Sequence, residues 1–179
     1  MMVLASAAEA QPRLPDFRVA VRAFEAEDFQ ARLAVYVAMR RDFETGLPPL
    51  IVTDQASDID RAERLLAHRI RGARRSEWGA LFSPPIAQEI RRALELMLTT
   101  STVATIMDEN PGEFRYPVNG EYPKRRKLAS MPATVLALLP ELPVDIQYRF
   151  VGHHLILLDT RANIIVDRMV CSINARSSP

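Results

Sequence analysis

The side chains best suited to chemistry begin with a run of carboxylates at residues 108–113. Asp108, Glu109 and Glu113 surround the turn-forming stretch Asn110-Pro111-Gly112. Such carboxylates act as acid and base when their surroundings separate their pKa values, and their oxygens bind hard cations. The spacing does not match an EF-hand loop, and a turn after a helix also explains Asp, Asn, Pro and Gly. We therefore favour the turn over a catalytic or metal-binding role.

Two adjacent histidines, His153 and His154, are the second candidate. Neighbouring side chains of a strand point to opposite faces, so both imidazoles chelate one metal ion only where the Gly152 turn reorients them. Because a metal site needs three or four converging ligands, a structural or solvent-exposed role is favoured. The alternative that stays open is a metal-dependent module or enzyme that combines the acidic cluster with this histidine turn.

Other catalytic arrangements are missing from the sequence. The single cysteine, Cys171, excludes an internal disulfide and has no histidine close to it in sequence. No serine lies in a Gly-x-Ser-x-Gly elbow, and no glycine-rich phosphate loop is present. The sequence thus names no catalytic residue and no cofactor, and we do not favour an enzyme.

The elements that must position these residues begin with a long helix, predicted from near Asp16 to Thr45 and ended by Gly46. Its apolar side chains form two sets, Phe17, Val21 and Phe24 and then Phe29, Leu33 and Tyr36. The stripe changes phase between the sets, so either the helix bends or its first part forms an interface with a second copy or another protein. We expect Phe17 to Phe24 to be less buried than Phe29 to Tyr36.

Four further helices are predicted from capping residues and apolar spacing. They start near Ser57-Asp58, at Ser83-Pro84-Pro85, near Val103 and at Ser130-Met131-Pro132. The first of them carries Arg61, Arg64, Arg71, Arg74 and Arg75 opposite its apolar stripe. The helix dipole favours cations near a C-terminus, and binding of an anionic surface is the less favoured interpretation.

The C-terminal end predicts a sheet. Apolar runs at 146–151, 155–158 and 164–166, separated by turn residues, indicate a three-stranded antiparallel meander within 146–170. Its predicted core residues are Phe150, Leu155, Leu157, Ile164 and Val166. Asn119-Gly120 predicts a type I′ hairpin at 114–122 that can extend this sheet.

Helices followed by strands indicate the α+β class, with a single domain at 16–170 and a disordered tail at 171–179. Residues 1–15 are a disordered tail or a truncated signal peptide, because Ala8-Glu9-Ala10 fits the small-x-small cleavage pattern. No apolar run reaches transmembrane length, and the net charge of +1 gives no sign of a nucleic-acid binder.

Two resemblances concern different lengths of the chain, one from about Phe29 onward and one in the last third. The segments 106–112, 118–123, 148–152 and 155–159 resemble a group of uncharacterised exported bacterial proteins. The last third is similar to the periplasmic RcnB-like family associated with nickel and cobalt homeostasis, from which the long helical first half departs. The resemblances imply a periplasmic or secreted protein, the alternative being cytoplasmic. We expect a non-enzymatic binding or accessory module of the envelope.

Overall fold

The computed structural model describes residues 23–47, 56–75, 78–112, 115 and 117–171. Five helices come first and three strands follow, so the predicted α+β class is confirmed. The elements are α1 (Ala23–Glu44), α2 (Ala56–Ala73), α3 (Pro84–Met97), α4 (Thr100–Asp108), α5 (Ala133–Leu136), β1 (Ile146–Val151), β2 (His154–Asp159) and β3 (Ile164–Val170).

The three strands form one antiparallel sheet in the order β1-β2-β3, as the sequence predicts. Gly152 and His153 make the two-residue turn between β1 and β2, and Gly152 has a φ of 54° that few other residues adopt. A β-bulge interrupts the pairing of β2 with β3 between Leu157 and Leu158. The strand order shows that strands consecutive in sequence are neighbours in the sheet.

One face of the sheet packs against the helices and forms the main core. The five predicted core residues of the sheet are at most 1 % exposed, and they cluster with Phe29 of α1, Ile70 of α2 and Ile86 of α3. On the opposite face, a smaller buried cluster joins Tyr122 to side chains of all three strands, namely Val151, Ile156, Leu158 and Ile165. Both faces of the sheet are therefore covered.

The prediction of a type I′ turn at Asn119-Gly120 is wrong. That turn needs positive φ at both residues, and Asn119 alone has one, at 61°. The Gly120 N–H instead donates to the Pro117 carbonyl at 2.9 Å, and the pair bonds to β3 through Ile165. A Cβ on Gly120 would lie 2.8 Å from the Pro117 oxygen, which explains the glycine. The free edge of β3 supplies the hydrogen-bonding partner that decides this conformation.

One helix boundary differs from the predictions, and another is not tested. The predicted start of the first helix near Asp16 lies outside the described residues, as do Phe17 and Val21; Phe24 is 77 % exposed and Phe29 fully buried. The helix predicted to start near Val103 starts at Thr100, because the Thr99 hydroxyl accepts the Thr102 N–H at 3.2 Å and caps it.

The domain extends one residue further than predicted at its C-terminal end. The sequence predicts that Cys171 belongs to a disordered tail. In the structure Cys171 is buried, and its N–H donates to the His153 carbonyl at 2.7 Å. This bond continues the ladder between β2 and β3. Among helices in the described ranges, none is both long and apolar enough to cross a membrane.

Candidate functional site

The acidic cluster lies at the end of α4, and its two described carboxylates have different surroundings. Asp108 is exposed, and the Glu109 carboxylate accepts the Ser130 N–H at 2.8 Å. This hydrogen bond lowers the pKa of Glu109. Glu113 lies outside the described residues. Glu109 therefore joins two loops, as a turn residue would.

The cluster does approach the histidine turn, but through an amide. Asn110 donates from Nδ2 to the Gly152 carbonyl at 3.0 Å and accepts the Gly152 N–H at 2.8 Å. His153 is exposed and His154 half-buried. In the part of the chain that the structure describes, no group of three or more His, Cys, Asp or Glu could hold a metal ion. A contribution of Glu113 to such a site stays a prediction.

The thiol of Cys171 is not suited to nucleophilic chemistry. The side chain is buried, and burial raises its pKa to about 12. The thiol therefore stays protonated at neutral pH, whereas the thiolate is the reactive form.

Asp159 at the end of β2 is completely buried and its oxygens are occupied. Its Oδ2 accepts the Tyr36 hydroxyl at 2.6 Å, and its Oδ1 accepts Nη1 of Arg40 at 3.3 Å and the Arg161 N–H at 2.9 Å. Burial, followed by the Asp159 charge, raises the pKa of Tyr36 well above its ordinary value. The network ties α1 to the turn after β2 and leaves no reactive group open to a substrate.

Asp167 of β3 is equally buried and binds only backbone. Its carboxylate accepts the N–H groups of Gly79, Leu81 and Phe82 at 2.9, 2.7 and 2.9 Å, and also that of Arg168 at 2.8 Å. These bonds hold the chain that leads into α3 against the sheet. Asp167, like Asp159, is therefore a structural residue.

A cavity that carries both apolar and charged groups is a groove along the outer edge of β1, which we call the β1 groove. Its volume is about 450 Å³, within the range of roughly 300–1,000 Å³ common for ligand sites. It is lined by Leu136, Leu139, Pro140, Glu141, Leu142, Ile146, Gln147, Tyr148 and Arg149. Leucines from α5 and the loop after it thus face the polar side chains of β1.

The backbone of β1 has a free side along this groove. Among the described residues, β1 pairs with β2 alone. In a two-residue hairpin the pair Val151 and His154 is hydrogen-bonded, and pairs alternate from there, so the N–H and C=O of Tyr148 point away from β2. The Tyr148 hydroxyl donates to the Pro140 carbonyl at 3.1 Å and fixes one wall of the groove.

Arg149 brings a positive charge to the groove; Glu141 also lines the groove, but the described hydrogen bonds of Arg149 go to neutral acceptors. Its Nη1 donates to the Tyr148 carbonyl at 2.9 Å and its Nη2 to Oε1 of Gln147 at 2.5 Å, both neutral acceptors. Its Nε is buried and has no hydrogen-bond partner among the described residues. Burial lowers the pKa of Arg149, because desolvation disfavours the charged form. An anion in the groove would satisfy this guanidinium.

Neither the β1 groove nor a role for Arg149 is predicted from the sequence. The signal was present as two polar residues, Gln147 and Arg149, alternating with the apolar residues of β1. The sequence does not show that β1 is an edge strand or that α5 lies beside it. Comparison of the chain with protein-family models, with curated proteins and with solved structures finds no match.

Proposed function

We propose that this protein is a non-enzymatic binding module, which holds an extended, carboxylate-bearing segment of a partner protein in the β1 groove. The observation that carries this proposal is Arg149, a half-buried guanidinium with neutral acceptors and a buried Nε that lacks a partner. A charge in this state favours a bound anion, because desolvation has already been imposed on the guanidinium.

An extended peptide suits the groove better than a compact ligand. A strand edge binds such a peptide through main-chain hydrogen bonds, while neighbouring pockets accept its side chains. The outward N–H of Tyr148 provides a donor, and the leucines of the opposite wall provide apolar contacts. Arg149 selects a segment with Asp, Glu or a terminal carboxylate, since its planar fork binds two carboxylate oxygens.

We further propose that the module is exported to the envelope. The support is the Ala8-Glu9-Ala10 pattern and the resemblance of the chain from about Phe29 onward to exported bacterial proteins. Expression together with the upstream genomic region, followed by cell fractionation, tests the cellular location of the protein. We expect a cleaved protein outside the cytoplasm; an uncleaved cytosolic protein would contradict this part of the proposal.

The binding activity is tested with peptides of defined chemistry. A displayed library of random twelve-residue peptides is selected against the purified protein, and the enriched peptides are measured by fluorescence anisotropy. We expect enriched peptides to share one acidic position, and Arg149→Gln to weaken their binding about tenfold or more, as for a charge-assisted hydrogen bond of roughly 1.5–3 kcal/mol. Arg41→Gln is the matched control, because Arg41 is an exposed arginine of α1.

Two results would contradict the proposal. One is enrichment of peptides without any acidic position, and the other is equal loss of affinity in the Arg149 and Arg41 variants. N-methylation of individual peptide bonds separates strand addition from side-chain recognition. Loss of binding on methylation near the acidic residue is the result that strand addition requires.

A further inference from the structure

The solvent-facing side of α2 carries arginines in a line, and this surface is separate from the β1 groove. Arg61, Arg64, His68 and Arg71 follow one another at intervals of three, four and three residues, which places them on one helix face. All four are exposed. We call this line the α2 ridge; it extends about 15 Å at 1.5 Å per residue.

The acidic residues of α2 offset the ridge only in part. Asp58 lies three residues before Arg61, and Lys124, with a smaller contribution from Arg64, lowers the pKa of Asp60. Asp60 and Glu63 both bind the ammonium group of Lys124, which lies on the loop after the Asn119-Gly120 turn. Arg125, next to Lys124 in the chain, is exposed. The ridge therefore keeps a net positive charge although the whole chain has a net charge of only +1.

The ridge is costly for the helix itself. Like charges three or four residues apart on a helix destabilise it. Gly72, in the last turn of α2, is a second unfavourable choice, because glycine lowers helix stability relative to alanine. A Cβ at Gly72 would meet nothing within 4 Å, so no internal contact requires a glycine there. A surface outside the protein that approaches α2 closely would account for both features.

We infer that the α2 ridge docks on an anionic phospholipid surface. Guanidinium groups bind phosphate oxygens in pairs, and a line of them on a convex helix suits a flat array of headgroups. Leu65 lies next to the ridge and is 42 % exposed, so it adds an apolar contact at the membrane interface. No aromatic side chain lies on the ridge to stack on nucleic-acid bases.

Co-sedimentation with vesicles tests this inference. The full chain is mixed with vesicles of phosphatidylcholine alone or with about 30 % phosphatidylglycerol, at low and high salt. We expect binding to the anionic vesicles only, weakened by salt. The variant Arg64→Gln/Arg71→Gln is expected to lose roughly 25-fold in partition coefficient, about fivefold for each arginine. The control Arg41→Gln/Arg92→Gln removes the same charge from α1 and α3.

Each alternative outcome decides against the inference. Equal binding to neutral vesicles would mean apolar adsorption, and equal loss in the ridge and control variants would mean a net-charge effect. Tight binding of duplex or single-stranded DNA, without binding to anionic vesicles, would assign the ridge to nucleic acid. Far-UV circular dichroism confirms that both variants are folded, and Arg61→Gln/Arg64→Gln serves as a second ridge variant.

Discussion

Arg40 and Arg149 show two different ways of burying a guanidinium in the same small domain. Arg40 lies between α1 and the sheet, within 3.1 Å of Asp145 and 3.3 Å of Asp159. Burial acts to lower its pKa, but Asp159 and the other nearby carboxylates outweigh this and the pKa is raised. Arg149 meets only neutral acceptors, and burial lowers its pKa.

The difference separates an arginine that holds the fold from one that is available for binding. Among the described residues the Nε of Arg40, like that of Arg149, has no hydrogen-bond partner, but the two Nη groups of Arg40 pair with carboxylates of its own chain, so its contacts stabilise the native state. Arg149 has no carboxylate partner among the described residues, and in the proposed function the bound peptide supplies one. Removing each charge in turn tests whether the two arginines differ in this way.

The largest effect is expected for Arg40→Met, which keeps the length of the side chain and removes the charge. The change leaves Asp159 completely buried without its guanidinium, and loss of one partner of a buried ion pair costs about 3–5 kcal/mol. Urea denaturation measures the free energy of unfolding. Asp42→Ala, at an exposed position of the same helix, is the control; a loss below about 1 kcal/mol for Arg40→Met would contradict this reading of the network.

A smaller effect is expected for Asp167→Asn. The amide keeps the shape of the carboxylate, but its NH₂ group cannot accept the backbone N–H groups that one carboxylate oxygen now accepts. Leaving these buried donors unsatisfied costs about 1–3 kcal/mol. The same urea experiment measures the loss. Unchanged stability would show that the chain leading into α3 does not depend on Asp167.

The smallest effect on stability is expected for Arg149→Met. Because this guanidinium has no carboxylate partner, a neutral side chain of similar length should leave the free energy of unfolding within about 0.5 kcal/mol or raise it. The paired measurement on Arg40→Met makes the contrast quantitative. A loss of several kcal/mol for Arg149→Met would mean that Arg149 is a structural residue and would remove the basis of the proposed groove.

The sheet was predictable because its strands carry their own signals. Apolar runs bounded by Gly152 and by Asn163 define a meander from local sequence, and Asn163 indeed has a φ of 49° at the second turn. The prediction of the turn type at Asn119-Gly120 failed for the opposite reason. Its conformation depends on Ile165 of β3, which lies far along the chain and cannot be read from the dipeptide.

The buried polar network and the residues of the β1 groove were less predictable, because their environment is set by distant contacts. Tyr36 and Asp159 are hydrogen-bonded across 123 positions of sequence, so neither residue reveals its partner locally. Arg149 looks like any polar residue of an alternating strand. Its importance depends on the edge position of β1 and on the groove wall built by α5, and both are properties of the assembled fold.

The most direct test of the central claim is an NMR titration of the ¹⁵N-labelled protein with an enriched acidic peptide. If the peptide adds to β1, the amide resonances of residues 146–149 shift most and exchange of the Tyr148 N–H with solvent slows, while Arg149→Gln abolishes both changes at the same peptide concentration. A peptide that binds without perturbing these amides, or that perturbs α1 or α2 instead, would contradict the assignment of the β1 groove as the binding site.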